Sequence, residues 1–152
     1  MLKEILNRET IDLIVFVIAV LVNILSILIF LSRLKDTKKL EHIAGLVFCS
    51  LSFPITGIIV FNIINHREWW TVVLLIPILI YIIFEFFLDY ILKLDFRNTK
   101  LIWPYLTLYY FGLIGLMGYS FGINKICGFV VLLFYFINLT VTGYVHRKKA
   151  LH

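Results

Sequence analysis

Five apolar stretches, each about 20 residues long and so able to cross a bilayer as a helix, dominate the chain. They cover residues 11–31, 43–64, 71–92, 101–119 and 123–144, and short polar connections separate them. Lipid offers no partner to an open backbone N–H or C=O, so such stretches must be helices. Short connections make consecutive helices antiparallel neighbours. The chain is 62% hydrophobic, with a mean hydropathy of +1.01. Soluble domains are about 45–50% apolar. The sequence therefore predicts an all-α integral membrane protein, an antiparallel bundle of five transmembrane helices. One domain takes up all 152 residues and leaves no room for a soluble one.

The last two spans need the most care, because residues 101–145 carry a single charge, Lys125, near their middle. A single helix of that length would far exceed the bilayer. Gly118, Gly122 and Asn124 supply turn residues, so the sequence places a turn at Ser120–Gly122.

Charge then gives direction. With the N-terminus outside, the inner side holds Arg33, Lys35, Lys38, Lys39, Lys93, Arg97, Lys100, Arg147, Lys148 and Lys149. The outer side holds only Lys3, Arg8, Arg67 and Lys125. This asymmetry predicts an N-out, C-in arrangement. Trp69 and Trp70 then mark an outer membrane boundary and Trp103 an inner one. The first span is too long for a cleavable signal, and its flank of Glu4, Glu9 and Asp12 has the wrong sign. Alanine is scarce while Ile, Leu and Phe abound, which fits an AT-rich prokaryotic genome and a multi-pass protein of the prokaryotic plasma membrane.

Glu85 and Asp89 break the third apolar run. A carboxylate at the centre of a span costs about 2.5–3.5 kcal/mol to insert. Tyr81, Glu85, Asp89 and Lys93 recur every four residues and share one helix face. By depth, Asn23 and Ser26 on the first span, Ser50 on the second, Thr107 beside Tyr105, Tyr109 and Tyr110 on the fourth, and Asn138 on the fifth lie near Glu85. This yields a candidate ligand-binding set of Glu85, Asp89, Tyr81, Asn23, Ser50, Tyr109 and Asn138 around a cytoplasm-facing cavity. The competing reading is a packed clasp of helix-to-helix hydrogen bonds, worth about 0.6 kcal/mol each. Burial and the neighbouring Asp89 both disfavour a charged Glu85. The sequence thus leads to a protonated Glu85 unless a cation is bound, and to a tolerated Glu85→Gln. Lys93 and Arg97 are the cations nearest to Asp89 along the chain.

Pro54 and Pro77 should kink their spans. Gly112, Gly115 and Gly118 read as a close helix–helix contact. Cys49 and Cys127 form no C-x-x-C and read as packing residues. His42, His66, His146 and His152 lie at span ends or in tails, so neither a metal nor any cofactor is expected. The basic residues lie between spans, which fits topology and anionic lipid contacts and leaves no nucleic-acid partner. No family signature is recognisable.

Three functions remain. The favoured one is a module that binds or transports a small amphipathic or cationic ligand, with Glu85 as counter-ion and tyrosines as walls. The second is an integral-membrane enzyme acting on a lipid-like substrate, with Glu85 or Asp89 as general acid or base. The third is an accessory subunit of another membrane protein. Membrane lipids are partners in every case, and the small size leaves homodimerisation open.

Overall fold

The structure is a computed structural model describing residues 7–93 and 99–150, without the side chains of His146, Lys149 and Ala150. The described residues are helical apart from short turns and contain no strand. Five helices are long and apolar enough to cross a membrane: Arg8–Leu34, Lys38–Ile64, Trp70–Ile91, Ile102–Ile123 and Lys125–Val145. The chain is a multi-pass membrane protein by the length and composition of these helices. Their outward faces are apolar, with Phe53 80% and Ile126 77% exposed.

Local chemistry sets where each span starts and stops. Asn7 caps the first helix, its side-chain oxygen accepting from the Thr10 amide at 2.8 Å. The chain turns after Leu34, where Asp36 adopts a left-handed φ of 53° and the Thr37 amide donates back to the Ser32 carbonyl. The second span is broken at Leu51 into Lys38–Ser50 and Ser52–Ile64. Pro54 causes the break, because its ring clashes with the carbonyl four residues back and it has no N–H to donate. The Ser50 and Ser52 hydroxyls donate to the Val47 and Cys49 carbonyls at 2.6 and 2.8 Å around that break.

The third span has three parts. Trp70–Val73 forms one turn, Leu74 and Leu75 break the helix before Pro77, and Ile76–Phe86 continues it. It ends in a π-helical turn, Phe87–Ile91, closed by the Leu92 amide on the Phe87 carbonyl at 2.9 Å. Between the fourth and fifth spans the turn is Asn124 alone, in an extended conformation. Its side-chain oxygen accepts from the Cys127 amide at 2.8 Å and caps the next helix. The expected turn residues Ser120–Gly122 are the closing turns of the fourth helix. Gly122 packs against the Trp70 ring, which lies where a Cβ would be.

The first and fourth spans make the centre of the bundle. The first packs on the second, fourth and fifth, and the fourth packs on the first, third and fifth. The first span buries Ile11, Val15, Ile18, Ala19, Val22, Ser26 and Ile29, a stripe at helical spacing. The glycine repeat of the fourth span is a close contact, as its spacing implies. A Cβ on Gly112 would lie 2.9 Å from the Ile78 Cα, and one on Gly115 would collide with the Leu74 carbonyl. The break before Pro77 and the glycine stripe therefore fit each other, since the displaced turn at Leu74 needs the space at Gly115.

Gly115→Ala should consequently destabilise the bundle by about 1–3 kcal/mol through overpacking. Gly143→Ala, where a Cβ would meet nothing within 4 Å, should be neutral or slightly stabilising. Unfolding titrations in mixed micelles measure both. Equal stabilities for the two variants would mean that the third and fourth spans are not in this contact.

Candidate functional site

Two buried arginine networks bracket the bundle, one at each end. The larger gathers the expected carboxylates. Arg33 sits in the last turn of the first helix, Glu41 in the first turn of the second, and Glu85 and Asp89 on the third span. The Arg33 Nε donates to Glu41 Oε1 at 2.6 Å. Its Nη2 lies 3.7 Å from Glu85 Oε1 and 3.9 Å from Asp89 Oδ2. The Arg33 side chain is 11% exposed and that of Glu85 5%, whereas Asp89 and Glu41 keep 20% and 31%.

The second oxygen of Glu85 is held by phenols. Tyr81 donates to Glu85 Oε2 at 3.2 Å, Tyr105 donates to the same atom, and the two hydroxyls are 2.7 Å apart. The Tyr81 ring also packs on Tyr109 and edge-on against Phe48. Glu85 is therefore fixed from two sides, by a cation and by two hydroxyls.

An open cavity of about 390 Å³ lies over this cluster. Arg33, Glu41, Glu85 and Asp89 line it together with the more exposed Lys38, His42 and Lys93. Beyond Arg33 only about 10 Å³ remains among Ser26, Phe30, Tyr81, Tyr105 and Tyr109, the lower limit for one water molecule. Past that point the polar residues are packed. Tyr109 donates to Asn138 at 2.9 Å, Asn138 donates to Asn23 at 3.3 Å, and Asn23 donates to the Ala19 carbonyl at 2.9 Å. Asn23 and Asn138 are fully buried. The chain they form ties the first, fourth and fifth spans together.

Of the candidate residues, Tyr81 is bonded to Glu85 behind the cavity wall, and Glu85 and Asp89 line the cavity. Tyr109 borders its inner limit, and Asn23 and Asn138 lie behind in the packed chain. Ser50 is elsewhere. It is exposed and lines an apolar groove between the second and third spans, its hydroxyl spent on its own backbone. Thr107 likewise faces outward, in a shallow apolar depression. Lys93 lines the cavity rim, while Arg97 falls outside the described residues.

Arg33 and Glu41 are the candidate-site residues that the sequence did not single out, and Tyr105, near Glu85 in depth, stood outside the candidate ligand-binding set. A signal for Arg33 existed. The buried stripe Val22, Ser26 and Ile29 continues to position 33 at the same spacing, which puts the guanidinium on the core face. Arg33 also supplies the internal cation that the sequence reading reserved for a bound one. Of the ladder Tyr81–Glu85–Asp89–Lys93, the last three line the cavity across the π turn, and Tyr81 lies behind them in the small space it shares with Tyr105 and Tyr109.

The opposite end is held by Arg67 and Asp12, 2.9 Å apart. Tyr119 donates to the same Asp12 oxygen at 3.0 Å, and Arg67 reaches Tyr119 and Asn62 at 3.3 and 3.4 Å. The second span ends there in a Schellman turn, with His66 at φ 49° and the Arg67 amide bonded to the Asn62 carbonyl. That turn folds the Arg67 side chain back over the bundle, where it is 5% exposed.

Compared with protein-family models, with curated proteins and with solved structures, the chain has no match.

Removing one partner of a buried ion pair costs about 3–5 kcal/mol. Arg33→Met should reach that range, because it leaves three carboxylates facing one another. Glu85→Gln should cost less, since an amide oxygen still accepts from the tyrosines and Arg33 keeps Glu41 and Asp89. In the double variant the losses should fall short of additive by about 1 kcal/mol or more. Strict additivity in denaturant titrations would mean that Arg33 and Glu85 do not interact.

Proposed function

We propose that this membrane protein binds, or carries across the membrane, a small cationic or amphipathic ligand in the open cavity at its Arg33 end. We further propose that this end faces the cytoplasm, with the N-terminus outside, as the Lys and Arg distribution favours. One observation carries the reading: three carboxylates converge on a single guanidinium beneath an open space of about 390 Å³. The wall of the cavity thus presents carboxylates around Arg33 and, further out, Lys38 and Lys93, so it offers charge-assisted contacts to a ligand with a cationic group. Asp89 and Glu41, the more exposed carboxylates, are the groups a ligand meets first, and Glu85 sets the floor.

The packed Asn23–Asn138–Tyr109 chain confines the proposed binding to the space above Tyr81. A transport cycle would then have to break that chain, whereas simple binding would leave it intact. Glu85, clamped by Arg33 and two phenols, is a positioning and counter-charge group in this reading.

Access to the cavity tests both parts. In a chain with Cys49 and Cys127 replaced by serine, Ile29→Cys should react with a membrane-impermeant thiol reagent from the cytoplasmic side. Ile29 borders the cavity and carries no charge needed by the site. Ethanolamine at millimolar concentration should slow that reaction. Glu68→Cys, on the opposite loop, should label only from outside, and Lys148→Cys only from inside. Labelling of positions 68 and 148 from one side would overturn the orientation. An inert position 29 in a folded protein would overturn the cavity.

A further inference from the structure

A second cavity adjoins the first along the seam between the second and third spans. It measures about 360 Å³ and is lined by Leu46, Cys49, Phe53, Ile83, Phe86 and Phe87, with only Ser50 and Ser52 as polar members. Neighbours in sequence divide between the two spaces. Gly45 and Tyr90 line the charged cavity, while Leu46 and Phe86 line the apolar groove. The groove follows the second span from Leu46 to Phe53, about 10 Å at the helical rise.

The partition is thin. The Tyr90 and Phe86 rings are stacked, with centroids 5.8 Å apart and planes at 20°. The Tyr90 hydroxyl donates to the His42 carbonyl at 3.2 Å and lies against Gly45, where no Cβ could fit. Below this pinch the break at Leu51 redirects the second span and leaves the space between Phe53 and Phe87. A polar cavity and an apolar groove are thus lined by neighbouring residues, and the stacked rings of Tyr90 and Phe86 belong one to each.

We infer that the ligand is a zwitterionic aminophospholipid, its headgroup in the charged cavity and one acyl chain in the groove beside Phe53 and Phe87. The inference rests on the cavity reading above and names the ligand class. Charge order supports it. A terminal ammonium meets Glu41 and Asp89, and the phosphate one short linker away meets Lys38 and Lys93 at the rim. A free small cation would use the carboxylates and leave the lysines and the groove unexplained. A second copy of the chain would fill the groove and leave the charged cavity as it is. The groove opens outward, with Phe53 80% and Phe87 50% exposed, so a bilayer lipid enters it sideways without leaving the membrane.

Photocrosslinking tests the inference. The full chain is reconstituted in phosphatidylglycerol vesicles with a trace of phosphatidylethanolamine bearing a diazirine late in one acyl chain, or with the matching phosphatidylglycerol probe. The expected adducts map to residues 46–53 and 82–87, in about tenfold greater yield with the ethanolamine headgroup, as one charge-assisted contact provides. Asp89→Asn should reduce that headgroup ratio. Ile83→Trp, which fills the groove, should remove the mapped adducts while ethanolamine still protects Ile29→Cys. Adducts spread evenly over all outward faces, equal yields for the two headgroups, or links to a second copy in place of lipid would each overturn the inference. If ethanolamine protection survives those results, the cavity reading stands alone. If protection also fails, both fall.

Discussion

A guanidinium held among three carboxylates, Arg33 with Glu41, Glu85 and Asp89, is the interaction on which the arrangement of the first three spans depends. An intramembrane carboxylate must find a cation or a hydrogen-bond donor, because lipid provides neither. Glu85 finds both, from three different helices. Moving the first span by one turn would strip Arg33 from its partners, and rotating the third would expose Glu85 to lipid. Pairing of this kind specifies register more than it adds stability, since desolvation offsets most of the attraction.

Stability comes from elsewhere in the bundle. Between the two arginine networks, close packing takes over: the glycine face of the fourth span on Leu74 and Ile78, and the buried Asn23–Asn138–Tyr109 chain. Helices in lipid gain little from apolar burial alone, so small residues and shared hydrogen bonds must hold them. The two proline breaks belong to the same scheme. One lets Leu74 approach Gly115, and the other opens the second span away from the third.

Much of the fold was legible in the sequence because hydrophobic length is a strong signal. The five spans, both kinks and the glycine contact follow from run length, proline chemistry and spacing. The site was legible only in part. Glu85 stood out because a carboxylate inside an apolar run is costly to insert, and Tyr81 because it lies one turn away on the same face. Asn23, Asn138 and Tyr109 matched by depth and also lie on buried faces. Ser50 matched by depth alone. Depth says nothing of azimuth, and a serine can satisfy itself on its own helix carbonyls. Arg33 was absorbed into the count of basic loop residues, where every Lys and Arg weighs the same. Its face, set by Val22, Ser26 and Ile29, carried the missing information. Arg67 was hidden for a similar reason, because only the turn at His66 aims it inward.

The two ends differ in a way that charge balance explains. At the Arg67 end one guanidinium faces one carboxylate, and Tyr119 and Asn62 complete the hydrogen bonding. A neutral, nearly satisfied set can close, and there the Trp70 ring packs edge-on against Tyr119 at 5.5 Å. At the Arg33 end one guanidinium faces three carboxylates. Glu41 and Asp89 keep 31% and 20% exposure there, and Lys38 and Lys93 line the same space. Closing over so many charged groups would strip their hydration, at several kcal/mol per ion. The open cavity is in that sense a consequence of the charged groups gathered around Arg33, and the proposed zwitterionic headgroup carries both of the signs they would meet.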